Sequence, residues 1–457
     1  MPDPAFLTVP QLGRLLRLRR LSAAELVAGC LDRLERLGPA YEAVVAMLQS
    51  AALAEARDRD EELARGKDRG PLHGIPYGVK DLVAVAGTAP ARHLGRYRRP
   101  APPGDATVVH RLRRAGSVLC AKLAMADPGP PSADGPSRGR ITGRTPWDPS
   151  RWSGGSSSGS AAAVAAGLLP FTLGSETWGS IQYPATFCGV TGLRPSFGRV
   201  SRHGAMMLSA TMDKLGPLAR TAEDCGLVLA ATAGADPADP TALARQFAAP
   251  RRQGGRRYRL GILRGTLDGT QPEVARNFTA SVGSLAEVAD IVDDLELPDY
   301  PYDEMAELVL DAEAAAGDGR LAPVSAWAAP ENRRLGARVD TREYLRVLRL
   351  RRPAAAALDR LLAQVDALLA PSLPTVAWPA EASAGEVFPQ YPGGTSIAGA
   401  ANLCGAPALF LPNGFGEGGL PTGLQLTGRA NSEAVLLELG MQFQSRTDFH
   451  RRRPPGL

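Results

Sequence analysis

The sequence predicts an α/β fold in one large domain, and three observations carry that expectation. From Gly70 onward short apolar runs alternate with segments of helical spacing, the stretch from Arg259 to Leu297 reads as strand, helix, strand, and no break in composition divides the 457 residues. A 44% hydrophobic content beside 22% charged residues gives one globule an ample core. The net charge of +5, thin over this length, argues against nucleic acid as a partner. Five cysteines, Cys30, Cys120, Cys188, Cys225 and Cys404, lie far apart with no CxxC, as reduced thiols in a cytosolic protein do. The N-terminal residues lack the order of charged start, apolar run and small-residue cleavage site, and no apolar run approaches a bilayer span. A cytoplasmic chain with no membrane partner is expected.

Residues Val9 to Arg65 mix apolar and charged positions at helical spacing, with a stripe at Leu26, Val27, Cys30, Leu31 and Leu34. Ser22 with Glu25 three residues on is a capping box that starts this helix. Ile75 to Val79 is a short apolar strand closed by Lys80. Val108 to Ala115 is helical, and Ser117 to Ala121 is a strand ending on Lys122, a lysine expected to be a solvated or ion-paired strand end and not a second base. Pro128 to Arg151, rich in Pro, Gly, Ser and Arg, reads as a surface loop. An Ala-rich helix from Ser160 to Gly167 precedes an apolar strand, Leu168 to Leu173. Beyond Ser209 the chain leads into a helix past Asp213 and Lys214, adjacent charges expected to be structural, and Asp236 to Gly255 is a polar loop. Arg259 to Leu263 is a strand, after which Thr270, Pro272 and Glu273 open a helix with the apolar face Val274, Phe278, Val282 and Leu285. Pro298 to Val339 carries no motif. The helix Thr341 to Val365, the strand Ala367 to Ala370 and the strand-like runs Asn402 to Pro412 and Leu420 to Gly428 close the chain.

The stretch Trp152 to Ser209 crowds glycine and serine beyond what a core segment needs. Gly154, Gly155 and Gly159 bracket Ser156, Ser157 and Ser158 at a helix start, where backbone N–H groups favour developing negative charge. A second serine turn, Glu176-Thr177-Trp178-Gly179-Ser180, follows the next strand. A Gly/Ser run alone is commonly a flexible loop. Lys80, placed beside buried surface where its pKa is open to depression, adds a base to two turn-borne serines without any histidine.

These motifs, with GPLHGIPYGVKDLVAVAG upstream and CGVTGLRPSFGRVSRHG and NLCGAPALFLPNGFGEGGLPTGLQLTGR downstream, resemble the amidase signature family of serine hydrolases over nearly the whole chain. The resemblance implies a central mixed β-sheet flanked by helices on both faces. It divides the domain into N-terminal helices (1–66), a catalytic core (67–230), a variable substrate-side region (231–330) and a C-terminal part (331–457). It makes Lys80 the base, Ser156 the relay beside a cis peptide, and Ser180 the nucleophile. The backbone N–H groups of Thr177, Trp178, Gly179 and Ser180 become the oxyanion hole. The implied substrate is a small-molecule amide, with no cofactor or metal; a homodimer is a possible assembly of the chain.

The chain departs from the commoner family pattern Asp-Thr-Gly-Gly-Ser by carrying Glu176, Trp178 and, further on, Gln182 where arginine is usual. A tryptophan at Trp178 is costly if that position needs a positive φ; the expectation is a reshaped acyl pocket with catalysis retained. Rival readings are weaker. Gly155-x-Ser157-x-Gly159 matches a nucleophile elbow, but Pro146 to Ser153 does not look like a strand, and only His203 and His450 lie downstream. No pair among His73, His93, His110, His203 and His450 has zinc-ligand spacing. The serious alternative is the amide-cleaving component of a glutamine amidotransferase, releasing ammonia for a partner, or a biosynthetic acyl transferase with the same triad. Members of that amidotransferase branch carry an aspartate shortly before the asparagine matching Asn402, and GGTSIAGAAN has none, so a stand-alone amidase is expected. A dead scaffold is disfavoured by the retained Lys80, Ser156 and Ser180.

Overall fold

Along the chain the elements run α1 (Val9–Arg17), α2 (Ala23–Leu37), β1 (Val44–Met47), α3 (Gln49–Ala64), β2 (Pro76–Lys80), α4 (Thr107–Arg114), β3 (Val118–Leu123), β4 (Arg144–Thr145), β5 (Asp148–Trp152), α5 (Ser158–Ala165), β6 (Phe171–Glu176), α6 (Gln182–Phe187), β7 (Thr191–Arg194), β8 (Lys214–Ala219), α7 (Ala222–Thr232), β9 (Tyr258–Leu263), α8 (Pro272–Ala286), β10 (Ala289–Leu295), α9 (Tyr302–Ala316), α10 (Thr341–Leu362), β11 (Ala367–Pro371), α11 (Ala384–Val387), α12 (Ala398–Cys404), β12 (Ala408–Phe415), β13 (Pro421–Thr427) and α13 (Glu433–Arg446). The computed structural model describes residues 3–89, 104–125, 143–250, 256–316, 340–382, 384–387 and 389–457.

Eleven of the described strands form one mixed sheet in the order β1-β3-β2-β6-β8-β7-β12-β13-β11-β9-β10, while β4 and β5 pair apart from it. The middle of the sheet places the site. β2 runs parallel to β3 and to β6, with Val79 opposite Leu173, so the carboxyl ends of β2 and β6 emerge side by side. In α/β sheets ligands bind where strands end in this way. β8 runs antiparallel to β6 with Lys214 opposite Glu176, which brings the start of β8 to the same edge. Every residue of β2, β3 and β8 is buried, as covering a sheet on both faces requires.

One core spans the sheet and the helices around α2, α5, α7 and α13. A second gathers Tyr302, Met305 and Val309 of α9, Leu358 and Leu361 of α10 and Ala400 and Leu403 of α12, and Trp178 packs against it. The expected element boundaries mostly hold. Ser22 and Glu25 form the capping box of α2, and the Arg259-to-Leu297 unit is a parallel β9-α8-β10 crossover.

Five expectations need correction. The helical reading of residues 9–65 missed β1, an edge strand only four residues long that pairs with β3. The segment after Ser209 enters β8 before its helix; Gly216 and Pro217 disguise the strand, yet Gly216 is needed because a Cβ there would collide with the Leu193 carbonyl. Helix α8 has Gln271 at its N-cap with no side-chain cap bond, so Thr270 does not start it. Asn402 to Cys404 is the end of α12, not strand, and the left-handed Gly405 terminates that helix. Asp148 to Trp152 is a strand, although only in the detached two-stranded sheet. Of the expected Pro128-to-Arg151 loop, residues 128–142 lie outside the described residues, as do 251–255 of the Asp236-to-Gly255 loop and 317–339 of the segment without a motif.

Candidate active site

Lys80 is the last residue of β2 and is fully buried. Its Nζ donates to Ser156 Oγ at 2.6 Å and to Ser175 Oγ at 2.9 Å. Among the described residues no carboxylate is bonded to it. Burial therefore dominates and draws its pKa from 10.5 down to about 7, against smaller upward pulls from Asp213 and Glu176. Ser156 follows a cis Gly155–Ser156 bond. The next residue, Ser157, clamps the serine loop to β6: its hydroxyl donates to the Ser175 carbonyl at 3.1 Å and accepts from the Ser175 N–H at 3.2 Å. The Ser157 N–H also donates to the Ser180 carbonyl at 3.2 Å, which ties the two serine turns together. Ser157 is thus committed to the scaffold and fully buried, unlike an elbow nucleophile.

The turn after β6 is held from inside. One Glu176 oxygen accepts from the N–H groups of Ile181 at 2.8 Å and Gln182 at 3.0 Å, closing a loop that ends on Ser180. The other pairs with Arg194 at 2.7 Å and accepts from Asn402 Nδ2 at 3.0 Å. Burial alone would raise this carboxyl, but Arg194 and Lys214 outweigh it and hold the pKa at about 2. The Thr177 hydroxyl donates to Asp213, and the Lys214 amine donates to the Thr177 carbonyl and to Asn402 Oδ1 at 2.9 Å. Ser180 itself is only partly buried. Among the described residues the N–H groups of Trp178, Gly179 and Ser180 donate to no side chain and no other loop.

The positive φ in this turn belongs to Gly179, at 83°, and not to Trp178. The indole therefore costs the backbone nothing and instead lines a cleft of about 660 Å³. Trp178 and Gln182, which flank Ser180 in the chain, both line that cleft, with Tyr183, Thr266, Ser372 and Thr395 among its other walls. Gln182 donates to the Ser372 carbonyl and to Gln425 Oε1, so it is anchored between strands.

The structure thus brings Lys80 and Ser156 into contact and sets the Ser180 turn against them. Lys122, by contrast, is ion-paired to Asp81 at 2.9 Å with both side chains buried, one of the two fates expected of it. Asp213 and Lys214 are buried supports of the turn. Sequence reasoning missed Ser175, Arg194 and the bridging role of Asn402, and read Glu176 only as a departure from a pattern. The one signal for Ser175 is its place directly before the turn motif, on a strand parallel to the one carrying Lys80. Of the histidines, His73 is fixed by the Arg59 carbonyl and the Arg69 N–H, His110 and His203 are exposed, and His93 lies outside the described residues. Among the described residues no group of three or more His, Cys, Asp or Glu is arranged to hold a metal ion, and no helix is long and apolar enough to cross a membrane.

A buried lysine on a serine, with a second serine turn pinned beside it, is the arrangement the motifs announced, and a model of the family called Amidase matches residues 25–437. The chain belongs to the amidase-signature family. Curated relatives include the A chain of the glutamyl-tRNA(Gln) amidotransferase of Moorella thermoacetica, 36% identical with 98% of each chain covered. Among solved structures, the native peptide amidase of Stenotrophomonas maltophilia is 32% identical over 98% of both chains, with a TM-score of 0.80. A protein solved in work on a vestigial complex and the origins of an s-triazine catabolic enzyme reaches a TM-score of 0.84 at 30% identity, covering 96% of this chain and 98% of its own. The amidase-signature family fixes the reaction class as chemistry on amide C–N bonds.

Proposed function

We propose that this chain cleaves a carboxamide C–N bond through an acyl-enzyme on Ser180. The observation that carries the reading is the 2.6 Å contact between the buried Lys80 amine and Ser156 Oγ, beside a partly exposed Ser180. Lys80, neutral above about pH 7, takes the Ser156 proton while Ser156 takes that of Ser180. Ser180 Oγ bonds to the carbonyl carbon, and the oxyanion is received by the N–H groups of Thr177, Trp178, Gly179 and Ser180. Each such donor is typically worth about 10²–10³ in rate. Collapse breaks the C–N bond, and the proton on Lys80 returns through Ser156 to the departing nitrogen. Water, deprotonated by the same relay, then releases the acid; an amine in its place makes the reaction an acyl transfer. On this reading residues 67–230 carry the chemistry and 231–330 serve the substrate side, to which Thr266 and Thr270 of the cleft belong.

Two finer readings share these steps. The named curated relatives support an amidotransferase component, passing ammonia from glutamine to a partner, more directly than they support a stand-alone amidase. The stand-alone reading rests on this chain's own residues: no aspartate stands in 393–401 ahead of Asn402, and Trp178 occupies cleft space where the commoner pattern has glycine. A fluorophosphonate should label Ser180, and an adduct on Ser156 or Ser157 overturns the assignment. Ser180-dependent ammonia release from glutamine exceeding that from peptide amides supports the amidotransferase reading, and the reverse order supports the stand-alone amidase.

A further inference from the structure

The wall of the cleft beside Ser180 is made of aromatic, hydroxyl, amide and proline residues, and among its described residues only Asp303 carries a charge at neutral pH. Asp303 is the second residue of α9 and reaches the cleft across α12. It does so because residue 399 is glycine: a Cβ there would collide with the Asp303 carboxylate. Among the described residues no donor or cation pairs with this exposed carboxylate, whereas each of the buried acids Glu176, Asp213, Asp224 and Glu433 accepts from a donor or cation. Asp303 is exposed on the cleft side, and the protein packed on its other side, reinforced by Glu304 and Glu307, raises its pKa above the ordinary aspartate value.

Asp303 also lies on the side of the reaction centre. Its charge is felt at the Tyr183 hydroxyl, and the Tyr183 ring packs on Gly179, so closely that a Cβ there would stand 2.8 Å from it. Trp178 borders the same cleft and packs on the core to which α9 contributes Tyr302 and Met305. A carboxylate with no cation bonded to it, in a partly enclosed cleft, attracts a ligand's cation more strongly than one on open surface does. The Trp178 indole, on the wall of the same cleft, adds a surface that attracts the same charge.

We infer that Asp303 is the residue that selects the substrate's charge, so that the cleft takes amides bearing an ammonium or guanidinium group on the part bound beyond Trp178 and rejects those bearing a carboxylate there. This rests on the proposed amide cleavage at Ser180. The carboxylate and the absence of a cationic wall residue among the described ones leave a net negative site, whose attraction for a cation and repulsion of an anion act in the same sense on the ratio of the two rates.

The test uses the intact chain and a matched series: ω-amino primary amides of increasing chain length, the corresponding plain alkanamides, and the corresponding ω-carboxylate monoamides. The wild-type protein should show a kcat/KM at least about tenfold higher for the best ω-amino amide than for its neutral counterpart, and lowest for the carboxylate. Asp303→Asn should bring the ammonium-to-neutral ratio toward one, mainly through KM, and Asp303→Lys should invert the order of ammonium and carboxylate. A merely structural Asp303 would lower all three classes alike and leave the ratios where they were, which overturns the inference; thermal melting of each variant shows whether the fold is kept. Equal wild-type kcat/KM for ammonium and neutral amides overturns it as well while leaving the amidase reading standing. No Ser180-dependent turnover of any member removes both.

Discussion

Lys80 and Lys122 leave neighbouring parallel strands, both fully surrounded by protein, and only one of them meets a carboxylate. The register explains the difference. Val79 stands opposite Lys122 and Lys80 opposite Leu123, so strand alternation sends the two amines to opposite faces of the sheet. Asp81, one residue beyond Lys80, takes Lys122 as its ion-pair partner at 2.9 Å. Lys80 is left with two hydroxyls. The adjacent Lys-Asp in the sequence therefore does not neutralise the candidate base. It neutralises the neighbouring lysine, and a buried lysine without an acid is what proton abstraction at neutral pH needs.

The strongest way to break this contrast is to remove each amine in turn. Lys80→Met should lower kcat/KM by about 10²–10⁴-fold, the usual worth of a general base, with little change in thermal melting. Lys80→Arg should not rescue it, because guanidinium does not release its proton; an active Arg variant ends the base assignment. Lys122→Met should do the opposite. It removes the buried Lys122–Asp81 ion pair, so about 3–5 kcal/mol of stability should be lost in denaturant unfolding while the folded enzyme keeps its pH profile. A Lys122 variant with wild-type stability and a lost acid limb would exchange the roles of the two residues.

How much of this was legible depended on whether a residue's role was local. Lys80, Ser156 and Ser180 sit in long, specific motifs, and the α2 capping box is written in four consecutive residues. The supports of the turn were not legible, because Glu176, Arg194, Lys214 and Asn402 meet only when β6, β7, β8 and α12 are brought together, and nothing in a linear spacing announces a contact between residues 176 and 402. Strand β8 was hidden for a related reason. Glycine and proline are poor strand formers, and only close packing against Leu193 makes Gly216 a requirement.

A smaller effect sharpens the contrast between the machinery and the cleft it serves. Trp178 keeps a negative φ and lines the cleft, so its side chain acts on what binds and its N–H on the oxyanion. Trp178→Gly should broaden the accepted acyl groups, changing the preference between a small and a bulky amide by about 1–3 kcal/mol in kcat/KM. A uniform loss for both amides would mean that the indole, packed on the α9–α12 core, instead holds the turn in shape.

The smallest expected effect is also the one that tests the electrostatics directly. The active form of Lys80 is neutral and its pKa is about 7, so kcat/KM should fall about tenfold for each pH unit below that value and level off above it. Asp213 is the first of the charges that raise this pKa. Asp213→Asn keeps an acceptor for the Thr177 hydroxyl but removes the charge, and with less support for the ammonium the acid limb should move to lower pH. Lys214 complicates the assignment, because burial, helped by Arg194, brings it to about 7 as well. Its amine is committed to Asn402 and the Thr177 carbonyl, away from Ser156, so Lys214→Gln should lower the plateau through the loosened turn and retain a limb. A limb that vanishes with Lys214 would transfer the titration to that residue and leave Lys80 without its claim to set the pH profile.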